Sequence, residues 1–503
     1  MSGNDSTATM AREGSITFVG NLIKKGFGFL IIAVITRLVS PSVYGLFILA
    51  TSIILFVQAF ATLGLPKAID YFVPQYLSDG EHDKARGVIL VVFALVLATS
   101  AVVAGLIVLG AGTIAAAFDE PALGVALLVL SVTVPFLAVY NALLASFSAI
   151  KRLKFRVYMR DVIRPTVRLI ATAALLLAGY GLLGVVGGYL IGLVVAIVAG
   201  VYFLRENAPR IVGAETTRVP SRPLLWYSVP LAFASIIYIF LGQIDYFVVG
   251  YFYGSEEVGI YRVGYALAAN LMIFSSSLGP IFKPLIAETK ADRAAVRTRY
   301  RTATRWIAGL TLPVALVVAF GASAYLSVVF TPQYTVATAA VVILAVGITI
   351  SAACGGPDGG LLQGLGYSRL VFLNTAVLLV INVGVSVLLV PRIGITGAAI
   401  GTASALTVNG LLAVAEGHRF HDVHPLTRDL GKILLAAVPA AIGASAVVLA
   451  VDSPYVVAFA LPAVVFTLYV GTLHLTNAFT AEDGEIAAQI SPALRRAIAL
   501  SRR

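Results

Sequence analysis

The sequence predicts an all-α integral membrane protein of about fourteen transmembrane helices. Twelve form two parallel six-helix bundles related by a pseudo-two-fold axis along the membrane normal, and two extra helices follow at the C-terminal end. Three observations lead there. The 503 residues are 59% hydrophobic and only 12% charged, with a mean hydropathy of +0.96. Soluble chains average roughly 45–50% apolar and roughly 25% charged residues. Fourteen apolar runs are long enough to cross a bilayer, and two parts of the chain repeat at nearly one offset.

A hydrocarbon core about 30 Å thick takes about 20 apolar residues per helix. Runs of that length, bounded by charges or turn residues, fall at 15–36, 43–65, 87–112, 122–146, 162–180, 182–204 and 223–252. They continue at 258–280, 305–325, 335–356, 370–390, 394–415, 431–451 and 454–475. The first lacks a basic leader and is too long and interrupted for a cleavable signal peptide, so it is expected to stay attached. The tail Ile486–Arg503, with Ser491-Pro492 as a helix start and Arg495 and Arg496 beside apolar residues, reads as a short interfacial helix.

The repeat sets the bundles. Ser40, Val43, Leu63 and Gly64 recur 215 residues later as Ser255, Val258, Leu278 and Gly279. Gly181, Gly184 and Gly188 recur 213 residues later as Gly394, Gly397 and Gly401. Because each half holds an even number of helices, both enter from the same side, and a cavity is expected between them near the midplane. The expected organisation is a cytoplasmic N-tail (1–14), an N-terminal six-helix bundle (15–204), a cytoplasmic linker (205–222) and a C-terminal six-helix bundle (223–415). A cytoplasmic loop (416–430), transmembrane helices 13 and 14 (431–475) and a cytoplasmic tail (476–503) follow.

The charge balance of +11 comes from 35 Lys and Arg against 24 Asp and Glu. With the N-terminus inside, 30 of the basic residues fall on the cytoplasmic side, two (Arg37 and Arg392) outside, and three (Lys24, Lys25 and Arg262) in the membrane. Such a split fixes both termini in the cytoplasm and disposes of a nucleic-acid partner. Two inner connections are especially basic: Lys151, Arg152, Lys154, Arg156, Arg160, Arg164 and Arg168, and Lys283, Lys290, Arg293, Arg297, Arg299, Arg301 and Arg305. They read as topology signals attracted to anionic headgroups, at about 1 kcal/mol each near the surface. Capture of an anionic lipid headgroup is the sharper alternative.

One cysteine, Cys354, excludes a disulfide framework, and five histidines leave little for a metal centre. His418, His421 and His424 share an inner loop with Pro425 and read as solvated. Asp70 and Asp358 read as loop or capping residues. No P-loop, catalytic constellation or paired carboxylates are present, so a carrier is expected rather than an enzyme, with no cofactor and no metal.

The site candidates are the intramembrane charges, since a Lys at a helix centre costs roughly 2.5–3.5 kcal/mol on insertion scales. Lys24 and Lys25 lie about ten residues into the first run, about 15 Å deep at 1.5 Å per residue. No acid shares that run, so a cavity anion-binding role is assigned to at least one of them. Asp245 and Arg262 lie at similar depth on antiparallel neighbours and read as an ion pair, with a direct substrate or proton role as the alternative.

The run Arg37-Leu-Val-Ser-Pro-Ser-Val-Tyr-Gly-Leu-Phe47 followed by Leu63-Gly-Leu-Pro66 resembles the Wzx-type polysaccharide transporter family. This belongs to the multidrug, oligosaccharidyl-lipid and polysaccharide exporter superfamily. The resemblance continues through Gln243-Ile-Asp245, Val258-Gly-Ile-Tyr261, Gln363-x-x-Gly366, Asn382 and Pro391-Arg-Ile-Gly-Ile-Thr-Gly-Ala-Ala-Ile-Gly401. It implies a flippase moving an isoprenoid-(pyro)phosphate-linked oligosaccharide from the inner to the outer leaflet of the cytoplasmic membrane. The implied partners are that lipid-linked oligosaccharide, membrane lipids and a coupling ion, and a monomer is expected. The related lipid II flippases are similar in the first helix, where a cavity Arg of theirs falls on Lys25 and the next on Ile31; a third corresponds to Arg262. The rival reading is a cation-coupled multidrug or small-molecule antiporter of the same fold. Such proteins commonly place an acid in the first helix, where this chain carries two lysines. A non-transporting scaffold is a third class, disfavoured by the central charges and the repeat.

Overall fold

Inside a bilayer every backbone polar group must be satisfied within its own segment or barrel, and this chain uses helices alone among its described residues. The computed structural model describes residues 25–215, 217–355 and 360–478. Lys24, Asp358 and the expected tail helix lie outside them.

Two compact units result, one of Gly26–Arg262 and one of the described residues from Val263 onward together with Lys25. The first takes in α1 (residues 25–38) from Gly26 onward, Lys25 at its start falling in the other unit. Then come α2 (Pro41–Thr62), α3 (Pro66–Ser78), α4 (His82–Ala117), α5 (Pro121–Ser131), α6 (Thr133–Ala149) and the short α7 (Leu153–Val157). A π-helical turn, Tyr158–Ile163, leads into α8 (Arg164–Leu177), α9 (Gly181–Asn207), α10 (Pro209–Val212), α11 (Ser221–Leu241) and α12 (Ile244–Tyr253). The division falls within α13 (Ser255–Ala269). The second unit continues with α14 (Ile273–Thr289), α15 (Arg293–Phe320), α16 (Ala322–Tyr325), α17 (Thr338–Gly355) and α18 (Gly360–Leu365). It ends with α19 (Ser368–Ile393), α20 (Ile395–His421), α21 (Arg428–Ala450) and α22 (Pro454–Leu475).

Helix starts follow local chemistry. Ser40 accepts from the Val43 amide at 3.4 Å to cap α2, Thr427 accepts from Leu430 at 3.1 Å to cap α21, and Asp292 accepts from Ala294 and Ala295 at 2.9 and 3.1 Å to cap α15. Proline occupies the first turn of α2, α3, α5 and α22, where its missing N–H costs nothing.

Eleven helices or continuous helix pairs among the described residues are long and apolar enough to span, and a twelfth arises if α5 and α6, bent by 44°, are one span. The other expected runs are 15–36, described only from residue 25, and 162–180, where α8 has 14 residues. Large apolar side chains point outward, Leu109 at 83% and Leu449 at 86% exposure. Water would penalise that surface and lipid does not. This is a multi-pass membrane protein.

The sequence repeat has a packing cause. α9 lies against α8 through Gly188, where a Cβ would collide with Thr172, and α20 lies against α19 through Gly401, where a Cβ would collide with Ser386. Each hairpin, within its own unit, lets two backbones approach through a small-residue face.

Candidate functional site

The densest group of aromatic rings and cations in the Gly26–Arg262 unit assembles on α8. Arg164 and Arg168 are four residues apart and so share one helix face. Proximity of like charges at that spacing disfavours the helix by a few tenths of a kcal/mol, so something else must hold them. Aromatic faces do. The Arg164 guanidinium lies 4.9 Å from the Tyr140 ring and 5.2 Å from the Tyr189 ring. That of Arg168 lies 4.9 Å from Tyr189 and 5.7 Å from Phe47. Tyr140, Tyr189 and Phe47 are buried, and Phe47 meets Tyr189 edge-on at 6.1 Å. Each cation–π contact contributes about 0.5–2 kcal/mol, more as water is excluded.

The backbone supports this placement. Gly192 of α9 faces the α8 backbone, where a Cβ would sit 2.9 Å from both the Arg164 carbonyl oxygen and the Arg168 Cβ. The nearby acid is already engaged, since Arg160 grips Asp161 through two bonds of 2.9 and 2.8 Å. Among the described residues neither Arg164 nor Arg168 has a carboxylate partner.

A second pair lies on α12 and α13. Tyr261 donates to Asp245 at 2.7 Å, and Arg262 donates to the Tyr246 hydroxyl at 3.0 Å. Neighbouring residues on each helix thus pair crosswise, and the two tyrosine rings meet edge-on at 6.0 Å. Asp245 is 9% exposed. The fully enclosed Tyr44 of α2 lies in electrostatic range of Arg262, Tyr246 and Arg168 at once, joining the two groups. The assembly carries three guanidinium groups and one carboxylate, a surplus suited to anions, and arginine suits phosphate above all through its planar fork of donors.

Of the residues singled out in the sequence, Asp245 and Arg262 come together in this network. Lys25 is placed in the other unit, where its ammonium donates to the Ala269 carbonyl at 3.0 Å. Ala269 ends α13 where a 3-10 turn, Asn270–Met272, begins, and cations are favoured at such carbonyl ends. Ile31 is buried at 5% exposure.

Arg164 and Arg168 were not singled out as intramembrane charges, because they close a dense basic stretch and counted as cytoplasmic loop. The structure places them inside α8, stacked on buried rings. Their i, i+4 spacing within an apolar run was the available signal. Lys67 was likewise counted as a loop residue; it lies in the first turn of α3, donating to Leu231 O at 3.1 Å and Ser235 Oγ at 2.8 Å. Among the described residues no three His, Cys, Asp or Glu side chains converge as metal ligands. His424 meets Arg301 at 2.9 Å and His418 meets Asp422 at 3.4 Å.

Comparison with known proteins now bears on this geometry. The model of a family described as polysaccharide biosynthesis protein matches residues 34–339, more than half the chain and all three guanidinium positions. The chain belongs to that family. A probable low-salt glycan biosynthesis flippase of Haloferax volcanii is 26% identical over 194 residues, 38% of this chain and 41% of that protein. The match therefore spans about two fifths of that relative's length. An uncharacterized membrane protein of Methanocaldococcus jannaschii is 24% identical over 71% of this chain and 74% of its own length. Among solved structures, the lipid II flippase MurJ in an inward closed conformation superposes with a TM-score of 0.73 at 14% identity, covering 92% of this chain and 98% of that one. An inward-facing multidrug resistance transporter of the MATE family superposes at 0.64, also at 14% identity, covering 79% and 94%. These likenesses show the fold.

Proposed function

We propose that the protein is a flippase that carries an isoprenoid-(pyro)phosphate-linked oligosaccharide from the inner to the outer leaflet of the cytoplasmic membrane by alternating access. It would serve surface polysaccharide or glycoprotein glycan assembly, with both termini in the cytoplasm and no covalent chemistry. The observation that carries the reading is the grouping of Arg164, Arg168 and Arg262 on buried aromatic side chains, with Asp245 as the carboxylate beside Arg262, within the Gly26–Arg262 unit. Cations in lipid-embedded helices are costly and mark substrate paths, and a phosphate on a lipid is the anion such a path meets. Membership of the polysaccharide biosynthesis family and the likeness to a probable glycan biosynthesis flippase of Haloferax volcanii support it.

In this reading Arg262 meets the phosphate, Asp245 holds the Tyr261 side of the network, and Lys24 and Lys25 add positive charge from the first helix. Cargo moves as lipid, with its tail left in the bilayer. A coupling ion would drive the cycle.

The likeness to a multidrug transporter raises an antiporter as the second reading. A cationic drug would be repelled by the same guanidinium groups, and this favours the flippase. Deleting the gene and complementing it decides between them. Lost surface glycan with inner-leaflet glycolipid accumulating, restored by the wild-type gene, is expected. Unchanged surface glycan together with a new sensitivity to cationic drugs would overturn the flippase in favour of the antiporter.

A further inference from the structure

We propose that Arg164 and Arg168 form an aromatic-braced clamp for a phosphate or pyrophosphate group. The inference rests on the flippase reading and deepens it by naming the residues that meet the anion on α8. Arginine has five N–H donors in a plane, and stacking on a ring occupies the face of that plane while leaving its edge free. These two guanidinium groups lie over the rings of Tyr140, Tyr189 and Phe47, held without spending their donors on an acid. No described carboxylate takes the edges, and the Arg168 Nε is buried without any hydrogen-bond partner.

A purely structural arginine is otherwise arranged. At least one of its terminal nitrogens finds a carbonyl, a hydroxyl or an acid even where the Nε has none, as in Arg156 and Arg297, because a buried donor left unsatisfied is penalised. Arg299 illustrates this elsewhere in the chain, with donors on Leu285 O at 2.5 Å and Thr289 Oγ1 at 3.2 Å. Arg164 and Arg168 are held by rings and lack acids, so a polyoxygen anion is the ligand that completes them. The π-helical turn Tyr158–Ile163 directly before them fits, since single π turns recur at functional sites. The anion could arrive on a lipid or free in solution, and the clamp chemistry is the same.

The test uses the full-length protein in detergent, titrated calorimetrically with farnesyl diphosphate and with inorganic pyrophosphate at fixed ionic strength. Both are expected to bind the wild type, farnesyl diphosphate more tightly if the natural anion is lipid-borne and equally if it is free. R164Q/R168Q is expected to weaken both at least tenfold while still unfolding cooperatively, with a melting temperature lowered by the lost ring contacts. Arg168→Lys keeps the charge and loses the planar fork, so a loss of about fivefold is expected, and it serves if the double variant does not fold. Unaltered affinity in either folded variant, or no binding by the wild type, overturns the clamp. Binding is read on the protein itself. A deletion strain with normal surface glycan would therefore overturn the flippase while leaving this result standing, and a double variant that binds no anion yet restores surface glycan would leave the flippase without the clamp.

Discussion

Two basic stretches, residues 151–168 and 283–305, each carry seven Lys and Arg; in the first, Arg156 bonds to Ser148 at 2.8 Å and Arg160 to Asp161, but its last two arginines are held differently from those of the second. In the second, four of the five guanidinium groups end on fixed protein groups. Arg297 meets Asp422 at 2.6 Å, Arg299 reaches carbonyl and hydroxyl oxygens of α14, Arg301 bonds to the His424 carbonyl at 3.2 Å, and the buried Arg305 reaches Ala478 O at 3.5 Å. These residues tie helix ends and loops together within their unit. In the first stretch, Arg164 and Arg168 rest on tyrosine and phenylalanine faces, without acids. Equal composition therefore gives a structural seam in one region and, in Arg164 and Arg168, a ring-held pair in the other. What separates them is whether an arginine is held by oxygen acceptors or by aromatic rings.

The largest effect that would sharpen this contrast is on R164Q/R168Q. Two charge-assisted bonds to phosphate, each about 1.5–3 kcal/mol, predict a transport loss of about a hundredfold or more, measured as surface glycan restored in a deletion strain at matched protein level. Next is Arg262→Gln, which removes the third guanidinium and its 3.0 Å bond to Tyr246; about a tenfold to hundredfold loss is expected on the same scale of about 1.5–3 kcal/mol per charged bond. A smaller effect is expected from Arg305→Gln. Thermal unfolding should show roughly 1–3 kcal/mol of lost stability from the broken buried bond, while transport per folded molecule stays at wild-type level. A transport defect there without a stability change would break the distinction. Smallest is Arg297→Gln, whose exposed pair with Asp422 predicts about 0–1 kcal/mol and no transport phenotype.

The helices were legible because lipid demands long apolar segments, and most of the described part of each expected run is helical, eleven or twelve of them long enough to span. Their interruptions were less so. The run 43–65 extends through a break at Leu63 and Gly64, both with positive φ, into α3, giving a continuous 38-residue pair. The run 223–252 divides at Gly242–Gln243 into α11 and α12. Hydropathy sums composition along the chain and does not register such local geometry.

The site was legible in part for the same reason. Arg262 and Asp245 stood out as charges within apolar runs and were expected to pair with each other; their described bonds, to Tyr246 and Tyr261, were not foreseen. Arg164 and Arg168 were hidden by their neighbours Lys151 to Arg160, which made the stretch read as loop. Tyr140, Tyr189 and Phe47, which brace them, come from three other helices, and no local pattern announces contacts of that kind.

The central claim, that this chain carries an anionic glycolipid, is tested most directly by reconstituting the full-length protein in liposomes. One measures how fast an isoprenoid-diphosphate-linked oligosaccharide becomes accessible to a membrane-impermeant glycosidase. The account predicts protein-dependent crossing that R164Q/R168Q abolishes. Crossing no faster than in protein-free liposomes, with the same vesicles exporting a cationic dye, would contradict it.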